Sequence, residues 1–428
     1  VPGKFTASTS YKVYYLGKKA PYIHSDDNKV KISTEQTQKA PNNTEHFGES
    51  GDYGSATANK ITGKQQFQFT LEHQPAYLVF QPYTSNTILH DCYLTKIEVT
   101  SDNDIAETYT INTSTDDLDA SAGGKQIVLT TKDDTWGSTY YNGFPLTNSS
   151  ASRTTNGAYM VIKPGTHTLK VRYWVKDLVS DTEGTITKTL FSTTIPSNTY
   201  YDVITNLDVE RNYDGDHYYM WDAQEQYWKG HEWWSANKDQ PVLNWNFNGN
   251  DPQSNADPRY YNESNPGFGI STPAIHTPCK DLPNANEMSW YCVYGDPRWD
   301  GDELWTTMGH LYKGGMWFKK KSVLKAEHNY DTEKSADGTD WRTNGNDKSW
   351  SASQTLPSAA DANNYFYLPA LGYYLSGQLY SVGGYGGYWS SSAYPWSSIY
   401  AYYLYFGSGS VIVSNGDRYG GFRAEALQ

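Results

Sequence analysis

Apolar and polar positions alternate through the first two hundred residues, and a period of two predicts strands. Residues 66–71, 76–81, 94–100, 126–131, 158–162 and 168–175 each read as a strand of five to eight residues. Turn signals divide them at Gly123-Gly124, Lys163-Pro164-Gly165-Thr166 and Glu183-Gly184. Residues 25–60 are polar and rich in Asn, Gly and Thr, which predicts a long loop, and 199–207 reads as a last strand. No 3.6-residue period appears before residue 205. Short strands with turns at this spacing predict a β-sandwich over residues 1–207.

The pattern changes after Asn212-Tyr213-Asp214-Gly215-Asp216, which reads as a turn or linker. Residues 217–280 have almost no periodicity but many aromatics. Such a segment stays ordered only by anchoring its rings in a neighbouring core. A helix is expected after Leu282-Pro283-Asn284-Ala285-Asn286, with Glu287 in its first turn and Met288, Tyr291 and Cys292 on one face. Gly295-Asp296-Pro297 ends it. Residues 311–321 predict a strand pair turned at Gly314-Gly315, followed by a polar loop to Leu356. Strand pieces at 387–390, 401–406 and 410–414 are joined by turns at 407–409 and 415–417. The expected architecture is mostly β in two domains. Residues 1–207 form the sandwich, and 208–428 form an α+β unit that includes an aromatic-rich loop region, 208–280.

Composition sharpens that division. Of 15 Trp in 428 residues, only Trp136 and Trp174 precede residue 208. Aromatics make up 15% of the chain and charged residues 19%, which excludes a disordered chain. The net charge of −13 disfavours phosphate contacts, and Lys319-Lys320-Lys321 is too short for a nucleic-acid patch, so no nucleic-acid partner is expected. No apolar run reaches the roughly 18–20 residues of a membrane helix. The Val-Pro-Gly opening predicts a mature or trimmed secreted chain. Cys92, Cys279 and Cys292 make no disulfide framework. Cys279 and Cys292 are close enough in sequence to bridge, and three buried thiols are the alternative.

Few motifs carry chemistry. No HExxH, GxSxG, Walker A or GxGxxG pattern is present, and the ten His are dispersed. Gly383-Gly384-Tyr385-Gly386-Gly387 lacks the Lys-Ser/Thr and helix of a phosphate loop and reads as a Gly-aromatic turn. Asp296, Asp300, Asp302 and Glu303 gather four carboxylates in eight residues, either as calcium ligands or as a solvated acidic turn. Tyr385, Tyr388, Trp389, Tyr394 and Trp396 lie in a Gly/Ser setting too short to bury them all. Rings among Ser and Gly suit the binding of sugars or peptides. Trp389 is assigned to the core, while Tyr394 and Trp396 fit core or surface equally.

The run Tyr367-Leu368-Pro369-Ala370-Leu371-Gly372-Tyr373, then Gly386-Gly387-Tyr388-Trp389-Ser390-Ser391-Ser392, Ala401-Tyr402-Tyr403-Leu404-Tyr405-Phe406 and Gly420-Gly421-Phe422-Arg423, resembles the Fibrobacter succinogenes major paralogous domain. The resemblance implies a C-type-lectin-like α+β domain, related to the formylglycine-generating enzymes, with the helix around Asn284–Tyr291 opening its core. Three departures stand out. Arg423 is followed by Ala424 where members often carry Cys, and the cysteine pair of the formylglycine-generating enzymes is missing. The Glu-Pro-Asn or Gln-Pro-Asp sugar motif of calcium-dependent lectins is missing too.

The first 207 residues are similar to Bacteroidetes fimbrillin-like proteins of the Mfa-like class. The matching segments are 76–80, 94–99, the Pro164-Gly165-Thr166-His167 turn and 198–203. This likeness implies a transthyretin-like β-sandwich that assembles with other pilin subunits by strand donation. Because the C-terminus reads as part of the lectin-like domain, a tip subunit that accepts a strand is expected. Together the resemblances imply a non-enzymatic pilus-tip (fimbrial) adhesin on the cell surface, in an outer-membrane-associated fimbrium. Its expected partners are pilin subunits and a glycan or host surface protein. The expected ligand-binding residues are Tyr385, Tyr388, Tyr394, Trp396, Asp417 and Arg418, with no catalytic residue, no metal ligand and no cofactor beyond an optional calcium. The alternatives are a carbohydrate-active or formylglycine-generating-like surface enzyme, and a non-polymerising carbohydrate-binding lipoprotein.

Overall fold

The computed structural model describes residues 8–18, 28–120, 123–178, 181–208, 212–265 and 272–428. Residues 25–27 of the expected loop, and 209–211 and 266–271 of the aromatic-rich region, lie outside them. Strands take up 41% of the chain and helices 9%, a mostly β protein. It divides into two compact units: the first runs to Asp208 and takes in Ser358–Ala360, and the second holds the rest.

The first unit is built on long antiparallel strands. Cys92–Ser101 pairs with Gln126–Thr130 on one side and Gly165–Asp177 on the other, and Gly165–Asp177 continues to Glu183–Ile195. A second sheet runs Ala158–Ile162, Ala76–Tyr83, Tyr200–Asn206. The two sheets face each other. Tyr173 packs edge-on to Phe80 and its hydroxyl meets Thr205 Oγ1 at 2.8 Å. Between them lie Leu78, Leu94, Ile97, Val99, Leu129, Met160 and Val171, all buried aliphatics of the expected strands.

Polar side chains finish one edge. Gln36 Nε2 donates to the Val161 carbonyl at 2.8 Å, and its Oε1 accepts from Val161 N–H at 2.9 Å. Gln38 does the same at Gly157 and Tyr159. These buried amides stand in for a neighbouring strand along Ala158–Ile162, so its backbone groups stay satisfied.

Several expectations change here. Residues 28–60 are not a loop but contain Lys29–Ile32, Glu35–Thr37 and Gly54–Lys60. Val30 and Ile32 alternate with exposed lysines, and the buried Gln36 is held by hydrogen bonds rather than apolarity, so composition hid the strands. Residues 66–71 keep only Phe67–Gln68, with Phe69 and Leu71 exposed. Glu183-Gly184 is no turn; it begins a thirteen-residue strand. Single helical turns also occur at Phe47–Ser50 and Arg153–Asn156.

In the second unit, one sheet pairs Tyr365–Pro369, His310–Lys319 and Arg298–Thr307. Residues 311–321 thus lie in one strand, and the hairpin turns at Met308-Gly309, both in the left-handed region, rather than at Gly314-Gly315. The other sheet runs Tyr218–Tyr219, Phe422–Arg423, Gly386–Ala393, Tyr400–Phe406, Ser410–Asp417, Lys348–Ser351. Its turn falls after Asp417 rather than at 415–417. The polar stretch to Leu356 carries helix Lys321–Glu327 and a turn of helix at Trp341–Asn344.

Helix Ala285–Val293 opens with a capping box. Asn284 Oδ1 accepts from Glu287 N–H, and Glu287 Oε2 accepts from Asn284 N–H, both at 3.0 Å. Burial opposes the charge on Glu287. Hydrogen bonds from Lys321, Asn284 and Tyr330 outweigh it and hold the carboxyl below its ordinary range.

Candidate functional site

Aromatic packing explains most of the second unit. In the 217–280 region Tyr218, Met220, Trp221, Tyr227 and Trp228 are buried although the only strand among the described residues there is Tyr218–Tyr219. The chain between them is tied down by Asp222, which has φ +59 and a fully buried carboxylate. Its oxygens accept from the Ile275 and His276 N–H groups at 2.7 Å and from the Asn262 and Asn265 amides at 3.0 Å.

The predicted binding residues fall at two ends of one hairpin. Strand Gly386–Ala393 pairs with Tyr400–Phe406 from Gly386↔Phe406 to Ala393↔Ala401. Tyr385 sits at the first end, 42% exposed and stacked on Tyr405 at 5.1 Å. Tyr394, Trp396, Asp417 and Arg418 sit at the second end, roughly 20–25 Å away at the rise of a strand. The six residues therefore do not form one patch.

Two of them are interior. Tyr388 is fully buried, stacked on Phe406, and its hydroxyl donates to the Pro369 carbonyl at 2.7 Å. Arg418 is fully buried with its guanidinium 4.4 Å from the Trp221 ring. Its Nε donates to the Tyr400 carbonyl at 3.0 Å and its Nη1 to the Asn265 carbonyl at 2.8 Å. Burial lowers its pKa to about 10. These side chains serve packing: Tyr388 lies in a strand buried along its whole length, and Arg418 in the turn that follows Asp417.

What remains at the second end is an aromatic ledge. Trp396 is 59% exposed, and Ile399 and Tyr419, which lie just beyond the Tyr400↔Asp417 pair, are exposed too. The Tyr394 hydroxyl donates to the Gly345 carbonyl at 3.0 Å, and its ring meets Trp396 and Tyr402 edge-on. Gly345 has φ +63, and a Cβ there would lie 2.6 Å from the Trp396 ring. Glycine thus both closes the preceding helical turn and seats the indole. Asp417 is half-buried at the strand end facing Tyr400.

Other chemistry is confined. The acidic run at 296–303 lies largely in strand Arg298–Thr307, not in a solvated turn. Buried Asp300 accepts from the Asp302 and Glu303 N–H groups and from Trp317 Nε1. Among the described residues no three His, Cys, Asp or Glu side chains gather as a metal group. All three cysteines are free and buried, and burial pushes the Cys92 and Cys279 thiols up to about 12 and Cys292 upward as well. A cavity of about 410 Å³ in the first unit and one of about 330 Å³ in the second have none of the predicted site residues in their walls.

The motif residues that carry the lectin-like resemblance are mostly interior. Leu368, Ala370, Trp389, Ala401, Tyr402, Leu404 and Phe406 are buried. Phe422 packs on Tyr373, Trp389 and Tyr403. Arg423 pairs with Glu425, lies over Tyr218 and donates to the Asp214 carbonyl.

No family model matches the chain, and no curated protein matches it. Solved structures with some likeness include a "putative cell adhesion protein" from Bacteroides ovatus, at 12% identity over 46% of this chain and 64% of that one, TM-score 0.27. Another so described, from Bacteroides uniformis, is 14% identical over 45% and 65%, TM-score 0.27. A third, from Bacteroides fragilis, is 13% identical over 35% and 50%, TM-score 0.21. The chain spans less than two thirds of each of these structures.

Proposed function

We propose that the chain is a non-enzymatic cell-surface adhesin of the pilus-tip kind, whose second unit meets a glycan or host surface protein. The observation that carries this reading is the ledge at Trp396, Ile399 and Tyr419. Large apolar side chains stand exposed there on a hairpin whose interior is tightly packed. Rigid exposed aromatics offer contact area at low entropic cost, which recognition uses and a packed core does not.

The first unit supports the assembly half of the proposal. Tyr200–Asn206 is the edge of its three-stranded sheet, and Tyr200 and Ile204 on it are 61% and 59% exposed. An edge of this kind accepts an added strand, which would join pilin subunits in an outer-membrane fimbrium. The buried, high-pKa thiols speak against formylglycine-type oxidase chemistry, which needs an accessible thiolate.

The test is a glycan-array and extracellular-matrix binding screen of the full chain, with and without EDTA, alongside Trp396→Ala. Specific binding lost in the variant at an unchanged melting temperature supports the ledge. Binding that survives the substitution moves the surface elsewhere, and loss in EDTA alone brings in calcium. Turnover of any bound glycan would replace the adhesin with an enzyme.

A further inference from the structure

Residues 240–250, Gln-Pro-Val-Leu-Asn-Trp-Asn-Phe-Asn-Gly-Asn, carry no charged side chain in a chain of net charge −13. Within them the usual burial rule is inverted. Leu243, Trp245 and Phe247 are 44%, 68% and 65% exposed, while the asparagines between and beside them hold the segment down. Asn244 Oδ1 accepts from Val382 N–H at 2.7 Å and its Nδ2 donates to the Val382 carbonyl at 2.9 Å. Backbone bonds run from Trp245 N–H to Leu379 O, from Leu379 N–H to Asn246 O and from Asn248 N–H to Gly377 O. Gln378 Nε2 adds a bond to the Trp245 carbonyl at 2.6 Å.

So fixed, Trp245 is held at φ +71, a region a β-carbon disfavours. Strain of this sort persists only where surrounding bonds over-determine it, and it clusters at functional positions. Here it turns an indole out of the protein, perpendicular to Tyr380 at 5.3 Å.

We propose that Leu243, Trp245 and Phe247 form a preorganised docking ridge for a neutral saccharide. The electron-rich faces of the rings attract the polarised C–H groups of a sugar. The exposed Asn246 amide beside them can meet hydroxyls. The ridge's own side chains carry no charge, and the Asp239 carboxylate that holds Asn248 and Asn250 is already engaged by His231; with the overall −13 it repels an anionic ligand, which leaves a neutral one. Size decides against a protein partner. Three side chains at these exposures offer on the order of 400 Å², about half of the roughly 800 Å² per partner that a stable protein interface buries. The ridge stands on its own geometry and does not require the Trp396 ledge to bind anything.

Affinity electrophoresis of the full chain tests this, with one polysaccharide per gel: a mixed-linkage β-glucan, a xylan, a mannan, a starch, and alginate as the anionic control. The expected result is retardation by at least one neutral polymer. The double variant Trp245→Ala/Phe247→Ala should weaken it at least tenfold at an unchanged melting temperature. Trp136→Ala, at an exposed indole of the first unit, should leave it as it was, which separates the ridge from exposed aromatics in general. Asn244→Ala keeps both rings but loosens their support, and should weaken retardation by a smaller factor. The proposal is overturned if no neutral gel retards the chain, if the double variant runs like the native chain, or if alginate retards it most. It is likewise overturned if sedimentation velocity shows self-association that the double variant abolishes, because the ridge would then be a protein contact.

Discussion

The two units solve the same problem, ordering a mostly β chain, with different materials. The first unit uses strand alternation and an aliphatic interior, so Leu94, Ile97, Val99 and Val171 interlock between two sheets. The second fills its interior with rings and then has to tie long irregular segments to them. Asp222, Asn244 and the Asn284–Glu287 capping box do that tying. A sheet core is sensitive to volume, whereas a ring-and-loop core is sensitive to single polar anchors.

The sharpest way to break that contrast is Asp222→Ala, which strands four donors. At ~1–3 kcal/mol for each unsatisfied buried group, we expect a loss of about 4 kcal/mol or more. Thirteen of the fifteen Trp lie beyond residue 208, so tryptophan fluorescence reads the second unit and should report an earlier melt. Ile97→Ala should cost about 3 kcal/mol through the cavity it leaves, seen by far-ultraviolet circular dichroism with the fluorescence melt little moved. If each substitution shifts both signals equally, the units unfold as one and the contrast is only architectural.

Gly345→Val places a β-carbon at φ +63 and against the Trp396 ring. The expected cost is about 2 kcal/mol, together with displacement of the ledge and a changed Trp396 emission. Asn284→Ala removes the cap and should cost about 1 kcal/mol.

Acid response sharpens the comparison further. Glu287 is held below its ordinary value of 4.5, so its contribution is complete above about pH 4.5 and falls as pH drops through the lower folded value. In the first unit Asp208 is held at about 2: burial opposes the charge, but bonds from Ser85, Thr84 and Asn86 prevail. Its contribution is lost between about pH 4 and 2. Glu287→Gln should therefore flatten the decline of the fluorescence-detected melting temperature below about pH 4.5 and leave the Asp208 loss in place. The smallest stability effect belongs to Trp396→Ala, expected within about 0.5 kcal/mol because the ring is mostly solvated.

How much was legible follows the same line. Strands Cys92–Ser101 and Tyr400–Phe406 stand where alternation puts them, because burying one face of a sheet imposes a period of two, while Ala76–Tyr83 and Ala158–Ile162, buried on both faces, are legible as short apolar runs. The helix at Ala285–Val293 carried its start in Asn284 and Glu287. Glu35–Thr37 could not be seen, since Gln36 is buried by hydrogen bonds whose partners lie over a hundred residues away. The candidate binding set was only partly readable. A composition rich in Tyr, Gly and Ser says that some rings are exposed but not which ones. Burial of both faces of Gly386–Ala393 and the turn after Asp417 sent Tyr388 and Arg418 inward and left Trp396 outside.

By itself, then, the sequence determined a mostly β chain, its main strands and its capped helix, because periodicity and capping act between near neighbours. Only the tertiary structure decided which aromatics are core and which are surface. Side-chain exposure in irregular segments is set by distant partners, as Val382 and Leu379 show when they turn Leu243, Trp245 and Phe247 outward.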